Sequence, residues 1–257
     1  MYLTRRANFR SQMKYYKILN EEECHHGFQY KTGLNVDTVP FNPTGSCEPG
    51  GLYFTNAKNI LRWVYQAVWI REVTIPEGAQ VYEETEKWKA DKIILGKREP
   101  ITVDVVKRLL NEGAGQASCS YALFWATENG HTEIVKLLIP VSDPEAYNSD
   151  ALRSAASSGH TEIVKLLIPV SDPKAWDSVA IRRAANNGHT EIVKLLIPVS
   201  DPKANNSEAL QRAANNGHTE IVKLLIPVSD PKANNSEALR FAAENGHAEI
   251  IKLLETQ

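Results

Sequence analysis

The side chains with the clearest chemical potential in this sequence are histidines that recur at one fixed spacing. Each copy follows a glycine, and successive copies are 29 residues apart: His131, His160, His189, His218 and His247. Imidazole is a common metal ligand, but the zinc helix H-E-x-x-H needs two histidines four residues apart on one helix face. Since these copies lie on different units, we expect each to hydrogen-bond within its own turn rather than to bind a metal.

The cysteines give no sign of a metal or disulfide framework. Cys24, Cys47 and Cys119 are far apart, odd in number and without C-x-x-C spacing, which favours a reducing compartment. Cys24, His25 and His26 could be considered as a metal site, but adjacent side chains point in different directions and a fourth ligand is not evident. The sequence therefore predicts neither a metal nor a cofactor.

Charge and hydropathy exclude several classes of function. The net charge of -2 does not favour nucleic-acid binding, which needs a basic face. No apolar run approaches the roughly 20 residues of a membrane span, and the N-terminus lacks the apolar core of a signal peptide. We expect a monomeric, intracellular protein without a membrane segment. The early basic residues read as a solvated tail: Arg5, Arg6, Arg10, Lys14 and Lys17.

The elements that position the histidines are helices. The segment T-E-I-V-K-L-L-I-P-V-S-D-P follows His131 and recurs after the next three copies, with apolar residues on one side of a helix. Pro140 should end this helix because proline lacks an amide proton. A second helix is predicted to begin near Ser149, capped by Ser149 and Asp150, and to run through an alanine pair to Gly159.

This order of elements, with G-H-x-E-I-V-K-L-L and an alanine pair, resembles the ankyrin repeat. The usual T-P-L-H opening is replaced by S-x-A-L or S-x-A-I, and the period is about four residues short of the family's 33. The β-hairpin fingers of ankyrin repeats should therefore be short or missing. We predict a mainly α chain: an ankyrin-like α-solenoid of about five 29-residue helix pairs over residues 100–257, with an outer half-repeat at 102–110, preceded by a small α+β domain over residues 1–99.

The residues that differ between copies indicate the partner-binding face. Arginine and aromatic side chains are typical of binding hot spots. In the alternative interpretation, the arginines solvate the face and the terminal aromatics pack on neighbouring elements. We expect Arg182, Arg183 and Arg212 on the open side of the first helices. The candidate partner-binding residues are Tyr147, Trp176, Arg153, Arg182, Arg183, Gln211, Arg212, Arg240 and Phe241.

The first 99 residues lack the period. Asn59 to Val68 predicts a helix with Ile60, Leu61, Val64 and Tyr65 inward, Ile70 to Ile75 and Lys92 to Leu95 predict strands, and Asn42 to Gly51 predicts a loop. H-H-G-F-Q-Y-K-T-G-L-N, C-x-P-G-G-L-Y-F-T and K-A-D-K-I-I-L-G resemble the N-terminal domain of ankyrin-repeat proteins from mimivirus-like giant viruses. This domain is expected to cap the solenoid end.

The resemblance implies a protein-protein interaction module that recognises a host or viral protein, in the host cytoplasm and without catalytic residues. Two alternatives stay open. His26-Gly27 and Gly51-Leu52-Tyr53-Phe54 are similar to segments with which ADP-ribosyltransferases hold nicotinamide, with a catalytic glutamate to come from Glu72, Glu83 or Glu84. The other alternative is a structural component of the virion.

Overall fold

The computed structural model describes residues 13–44 and 48–257 and divides the chain into two compact units. The first unit ends at Ala122 and the second comprises Leu123–Gln257. This boundary lies within a helix, about one helix pair beyond the predicted change at residues 99 and 100. The predicted basic tail at Arg5, Arg6 and Arg10 and the cysteine Cys47 lie outside the described residues.

The first unit is built on a mixed-length antiparallel sheet. Its central strands are buried on both faces over part of their length, as in Trp69–Thr74, where Ile70, Arg71 and Val73 are buried and Glu72 and Thr74 are exposed. The described strands are β1 (Tyr15–Leu19), β2 (Cys24–His25), β3 (Phe28–Gln29), β4 (Gly33–Val36), β5 (Leu52–Asn56), β6 (Trp69–Thr74), β7 (Val81–Glu83), β8 (Trp88–Ala90), β9 (Lys92–Leu95) and β10 (Glu99–Pro100). The two predicted strands are confirmed as β6 and β9.

The sheet has the strand order β4-β9-β6-β1-β5-β8-β7, with β10 added beside β6, while β2 and β3 form a separate hairpin. Its core is aromatic: Tyr15 meets Phe54 and Trp88 edge to face, each with ring centroids 5.3 Å apart. Such pairs add about 0.5–1.5 kcal/mol beyond area burial. The first unit therefore has a core of its own.

The predicted helix of this unit is present in a tighter form. Helix α1 (Ala57–Ile60) continues as a 3₁₀ helix over Leu61–Gln66, and Asn56 caps it by accepting from the Asn59 amide. Ile60, Leu61 and Val64 are buried as predicted. The inward placement of Tyr65 is wrong, because a 3₁₀ turn of three residues rotates it to the surface.

The outer half-repeat belongs to the first unit. Helix α2 (Val103–Asn111) buries Val105, Val106 and Leu109 and is capped by Thr102. At its end, the Glu112 carboxylate accepts hydrogen bonds from the Tyr16 hydroxyl and from the Lys14 ammonium. The Gly115 amide donates to the Lys58 carbonyl of α1 at 2.9 Å. The sheet, α1 and α2 are therefore joined by hydrogen bonds as well as by packing.

Five helix pairs follow, which confirms the predicted number. The first helices are α3 (Gln116–Glu128), α5 (Ala146–Ser158), α7 (Ala175–Asn186), α9 (Ala204–Asn215) and α11 (Ala233–Glu244). The second helices are α4 (Thr132–Leu138), α6 (Thr161–Leu167), α8 (Thr190–Leu196), α10 (Thr219–Leu225) and α12 (Ala248–Glu255). Among the described residues, none of these helices is long and apolar enough to cross a bilayer.

The invariant residues of the repeat form its core. In α4, Ile134, Val135 and Leu138 are buried, and the equivalent triplets of α6, α8 and α10 are buried as well. The α-helix stops at Leu138, and Pro140 lies in the 3₁₀ turn that follows. Residues 140–149 and their equivalents contain turns and helix but no strand, so the predicted loss of the β-fingers is confirmed.

The glycine and histidine of each turn fit together across neighbouring repeats. His160 Nε2 lies 3.1 Å from the Glu128 carbonyl of the preceding repeat, and the next three copies repeat this contact at 2.9–3.0 Å. A Cβ on Gly130 would lie 2.8 Å from the His160 ring, and Gly130 has φ 73°. The predicted hydrogen bond within the same turn is therefore wrong, since the histidine joins two repeats.

A left-handed turn opens the first helix of the later repeats. In α7, Trp176, Asp177 and Ser178 have φ values of 49°, 54° and 58°, and α9 and α11 show the same turn. The predicted cap by the serine is wrong. The Ser178 hydroxyl accepts instead from the Asp201 amide of the following repeat at 2.8 Å, and Ser149 and Ser207 accept equivalent bonds from the next aspartate.

Candidate partner-binding face of the repeats

Two aromatic side chains stand out at the turns that open the first helices. Tyr147 is 60% exposed and Trp176 is 64% exposed, and both have positive φ. Asn205 and Asn234 occupy the equivalent positions in the next two repeats. Asparagine tolerates left-handed backbone, whereas a bulky residue there is an outlier that costs of order 1 kcal/mol or more. Trp176 is thus held outside the core in a conformation that its residue type disfavours.

The arginines of the first helices pair with an acidic column that follows the serine. In α5, Arg153 pairs with Asp150 three residues earlier, and in α11, Arg240 pairs with Glu237 at 2.7 Å. In α7, this acidic position is occupied by Val179. Arg182 therefore lacks an acidic partner at this position of its own helix and pairs with Glu208 of the next repeat.

Glu208 is the point where these pairs converge. It accepts from Arg182 of α7, from Arg212 Nε on its own helix at 2.6 Å and from Asn205 at 3.1 Å. Burial acts to raise the pKa of the Glu208 carboxyl, but the hydrogen bonds from Asn205, Arg212 and Arg182 outweigh it and hold that pKa below its usual value. The Arg182 guanidinium also donates to the Trp176 carbonyl at 2.7 Å.

The predicted open position is therefore wrong for Arg182, whose side chain is 14% exposed and joins two repeats. Arg212 pairs with Glu208, but 40% of its side chain remains exposed. Arg183 is exposed, and in the described part of the chain no hydrogen bond or ion pair of its guanidinium is found. Of the three arginines, Arg183 and the exposed part of the Arg212 side chain can contact a partner protein without breaking a contact within the repeats.

A groove of about 490 Å³ runs across the first helices of the last three repeats. Its lining is polar and rich in amides, with one aromatic ring at the end: Asn186, Asn205, Asn206, Glu208, Gln211, Arg212, Asn215, Asn234, Glu237 and Phe241. Gln211 is fixed by donating to the Asn206 carbonyl at 2.7 Å. Amide groups offer both donors and acceptors, which suits the backbone and polar side chains of a polypeptide.

The groove brings together three of the predicted residues: Gln211, Arg212 and Phe241. Arg240 lies beside it, with its guanidinium 5.2 Å from the Phe241 ring centroid. Tyr147, Trp176, Arg153, Arg182 and Arg183 do not line it. Sequence reasoning missed Glu208 and Glu237, although an acid after the serine in three of four repeats was a readable signal.

The residues of the enzymatic alternative do not assemble in the same way. His26 lies at the exposed tip of the β2–β3 hairpin, whereas a cleft in the first unit is lined by His25 together with Tyr53. Glu72, Glu83 and Glu84 are not among the described residues lining that cleft. No group of three or more metal-binding side chains occurs among the described residues, Cys24 and the two adjacent histidines included.

Helix pairs of 29 residues, stacked through an invariant core with variable first helices, define a repeat solenoid of the ankyrin class. The family model described as ankyrin repeats (3 copies) matches residues 99–177 and 181–256, so the chain belongs to the ankyrin-repeat family. Ankyrin repeats are protein-protein interaction modules, and the chain therefore carries such a module.

Several relatives among known proteins come from Acanthamoeba polyphaga mimivirus. The chain is 36% identical over 143 residues to its ankyrin repeat protein R868, which covers 52% of this chain and 69% of that protein. It is 37% identical over 129 residues to the uncharacterized protein R869, with 47% and 94% covered, and 29% identical over 148 residues to the ankyrin repeat protein R229, with 51% and 48% covered. The predicted resemblance to giant-virus ankyrin proteins is confirmed.

Proposed function

We propose that the chain recognises a host or viral protein in the host cytoplasm through the first-helix face of its repeats, with Trp176 and Tyr147 as anchors. The observation that carries the proposal is the exposure of Trp176 in a left-handed turn where the later repeats have asparagine. Exposed aromatic anchors supply much of the binding energy at protein interfaces. The relatives' viral origin supports a partner present in infected cells.

The neighbouring surface fits this role. Arg183 lies on the same first helix as Trp176 and is exposed, and Arg240 and Phe241 lie at the end of the polar groove. Aromatic residues and arginine are enriched at protein interfaces, whose rim is polar. Arg182 and Glu208 then act as supports, because they link α7 to α9 and fix the Trp176 carbonyl.

The chain itself offers a matched test variant. Tyr147→Asn together with Trp176→Asn installs the residue that the last two complete turns already contain, so the fold is expected to keep its melting temperature or gain slightly. Proteins captured from infected cells by the parent chain would be identified and then remeasured with purified partner. We expect the double variant to bind at least about 30-fold more weakly, as hot-spot losses of about 2 kcal/mol imply.

The control is Lys165→Ala, on the outer helix α6, where Lys165 pairs with Glu162 in an exposed i,i+3 contact. It should bind like the parent. A double variant that keeps both its stability and its affinity for every captured partner would remove the two aromatics from the binding face. Equal weakening by Lys165→Ala would place the interface on the second helices instead.

A further inference from the structure

A cleft of about 390 Å³ opens in the first unit between strands β1 and β5. The two strands pair only at Tyr15 with Asn56 and at Tyr16 with Thr55. On their other edges, β1 pairs with β6 along its whole length and β5 pairs with β8 from Leu52 to Phe54. The sheet thus splits beyond Tyr16, and the split is covered on one side by the 3₁₀ helix Leu61–Gln66. The volume is that of a small-molecule site, for which about 300–1,000 Å³ is usual.

The lining of this cleft is rich in basic side chains. Lys17 rises from β1, His25 from the β2–β3 hairpin, Arg62 from the 3₁₀ helix and Lys87 from the approach to β8. None of the described residues that line the cleft is an aspartate or a glutamate. Four nitrogen groups from four separate elements therefore converge on one space without an acid among them.

The two cations at the rim are held in place from behind. Arg62 makes a bidentate pair with Glu86 at 2.7 and 2.8 Å, and Lys87 lies 3.5 Å from Glu84. The Lys87 ammonium is 4.5 Å from the Tyr53 ring centroid. These contacts pre-organise both cations, so that a ligand need not order them on binding.

Lys17 forms the floor and is the unusual group. It is 4% exposed, its ammonium donates to the Tyr53 carbonyl at 2.7 Å, and it lies 4.2 Å from the Tyr30 ring centroid. In the part of the chain that the structure describes, Lys17 has no carboxylate at ion-pair distance. A buried ammonium without an anion is costly for a fold, and a bound anion would supply the missing charge.

The environment of the cleft shifts the pKa values of both Lys17 and His25. Burial lowers the pKa of the Lys17 ammonium to about 7. Burial and then the positive charges of Lys17, His26 and Lys87 lower the pKa of the His25 imidazole to about 4. The Lys17 shift reflects burial alone, whereas the His25 shift also reflects the neighbouring positive charges.

Aromatic rings provide a second recognition element at the mouth. Trp63 and Tyr65 line the cleft and are 43% and 58% exposed. Neither ring is buried in the aromatic core of the first unit. Their faces can stack on a heteroaromatic base, while an ammonium or guanidinium binds phosphate. A cationic floor beneath an aromatic mouth matches a ligand with a phosphate at one end and a base at the other.

We propose that this cleft binds a small nucleoside phosphate, with the phosphate at Lys17 and Lys87 and the base against Trp63 and Tyr65. The site lies within the first unit and is independent of the partner-binding face of the repeats. It provides the N-terminal unit with a ligand of defined chemistry, separate from the role of the repeats in binding protein.

Isothermal titration of the full chain tests this proposal, with AMP as the probe and adenosine and inorganic phosphate as its two halves. AMP should bind at least tenfold more tightly than either half. Lys17→Met should reduce AMP affinity to that of adenosine, and Trp63→Ala should weaken AMP about tenfold while leaving phosphate unchanged. Lys107→Met, which removes an exposed lysine paired with Asp104 on α2, is the matched control and should bind like the parent.

Three results would overturn the proposal. The first is no heat from AMP, ADP or the other mononucleotides at millimolar concentration. The second is phosphate binding as tightly as AMP, which would mean an anion site without base recognition. The third is unchanged AMP affinity in folded Lys17→Met. If that variant fails to fold, as judged by its melting curve, the ratio of AMP to phosphate affinity in Trp63→Ala decides the question.

Discussion

The hydrogen bond between consecutive repeats through Ser178 gives a sharp test of how this solenoid is held together. Ser178 is fully buried, and its hydroxyl accepts from the Asp201 amide at 2.8 Å. Ser178→Ala removes the acceptor and leaves the packing of the Cβ in place. Ser149 and Ser207 make the same contact with the following repeat, so that three equivalent substitutions can be compared.

Two effects determine how much Ser178→Ala lowers the free energy of unfolding. A net hydrogen bond contributes about 0.5–1.5 kcal/mol, and a donor left without a partner in a partly buried place adds to that. We therefore expect about 1–2 kcal/mol for each of Ser149→Ala, Ser178→Ala and Ser207→Ala. Because solenoid stability is close to a sum over neighbouring interfaces, the triple variant should lose about 3–6 kcal/mol.

Urea denaturation followed by circular dichroism would measure these costs, with the slope of the transition checked for each variant. Ser236 is the control, since it has the same left-handed turn but no aspartate amide reaches it in the described chain. Ser236→Ala should cost less than about 0.5 kcal/mol. If Ser178→Ala were no more destabilising than Ser236→Ala, the hydrogen bond between repeats would contribute nothing to the free energy of unfolding.

Two further predictions concern the first unit. Because burial lowers the pKa of Lys17 to about 7 whereas an unfolded lysine keeps its proton to about 10, the unfolded state holds more protons between these values. The free energy of unfolding should thus rise with pH across that window and fall toward pH 7, and Lys17→Met should lack that contribution in parallel urea titrations. Deleting residues 1–99 should expose Val105 and Val106 of α2 to water, and each Å² of exposed apolar surface costs roughly 25 cal/mol of stability. The truncated chain should therefore aggregate, as measured by light scattering, or melt at a lower temperature. A truncated chain that stays monomeric with an unchanged melting temperature would contradict the capping role.

The repeat could be predicted from the sequence because its determinants are local and repeated. Ile134, Val135 and Leu138, at positions i, i+1 and i+4, fix one helix face, and Pro140 cannot continue the helix. The missing β-fingers followed from the period alone. In the first unit, β6 and β9 could be read from their β-branched residues, and α1 from its apolar spacing.

The features that escaped prediction depend on contacts between distant residues. Ser149 has the sequence context of a helix cap, and only the position of the next repeat shows that its hydroxyl bonds there. Val179 stands where three other repeats have an acid, and only the structure shows that Arg182 pairs with Glu208 of the next repeat instead. Lys17 belongs to a basic stretch that reads as a tail, yet it lies in the central strand β1. Trp176 gives no local signal for a left-handed backbone.

The junctions between repeats also bear on how the length of this array can change. Each of the later junctions presents the same serine hydroxyl, aspartate amide, glycine and histidine, and every one of these contacts ends at the adjacent unit. Recombination between two copies of the repeated coding segment would remove or add whole units of 29 residues. The new junction would already contain a matching set of donors and acceptors. An array with one unit more or fewer would therefore keep matched junctions, while substitutions at the turn and first-helix positions alter what each unit displays.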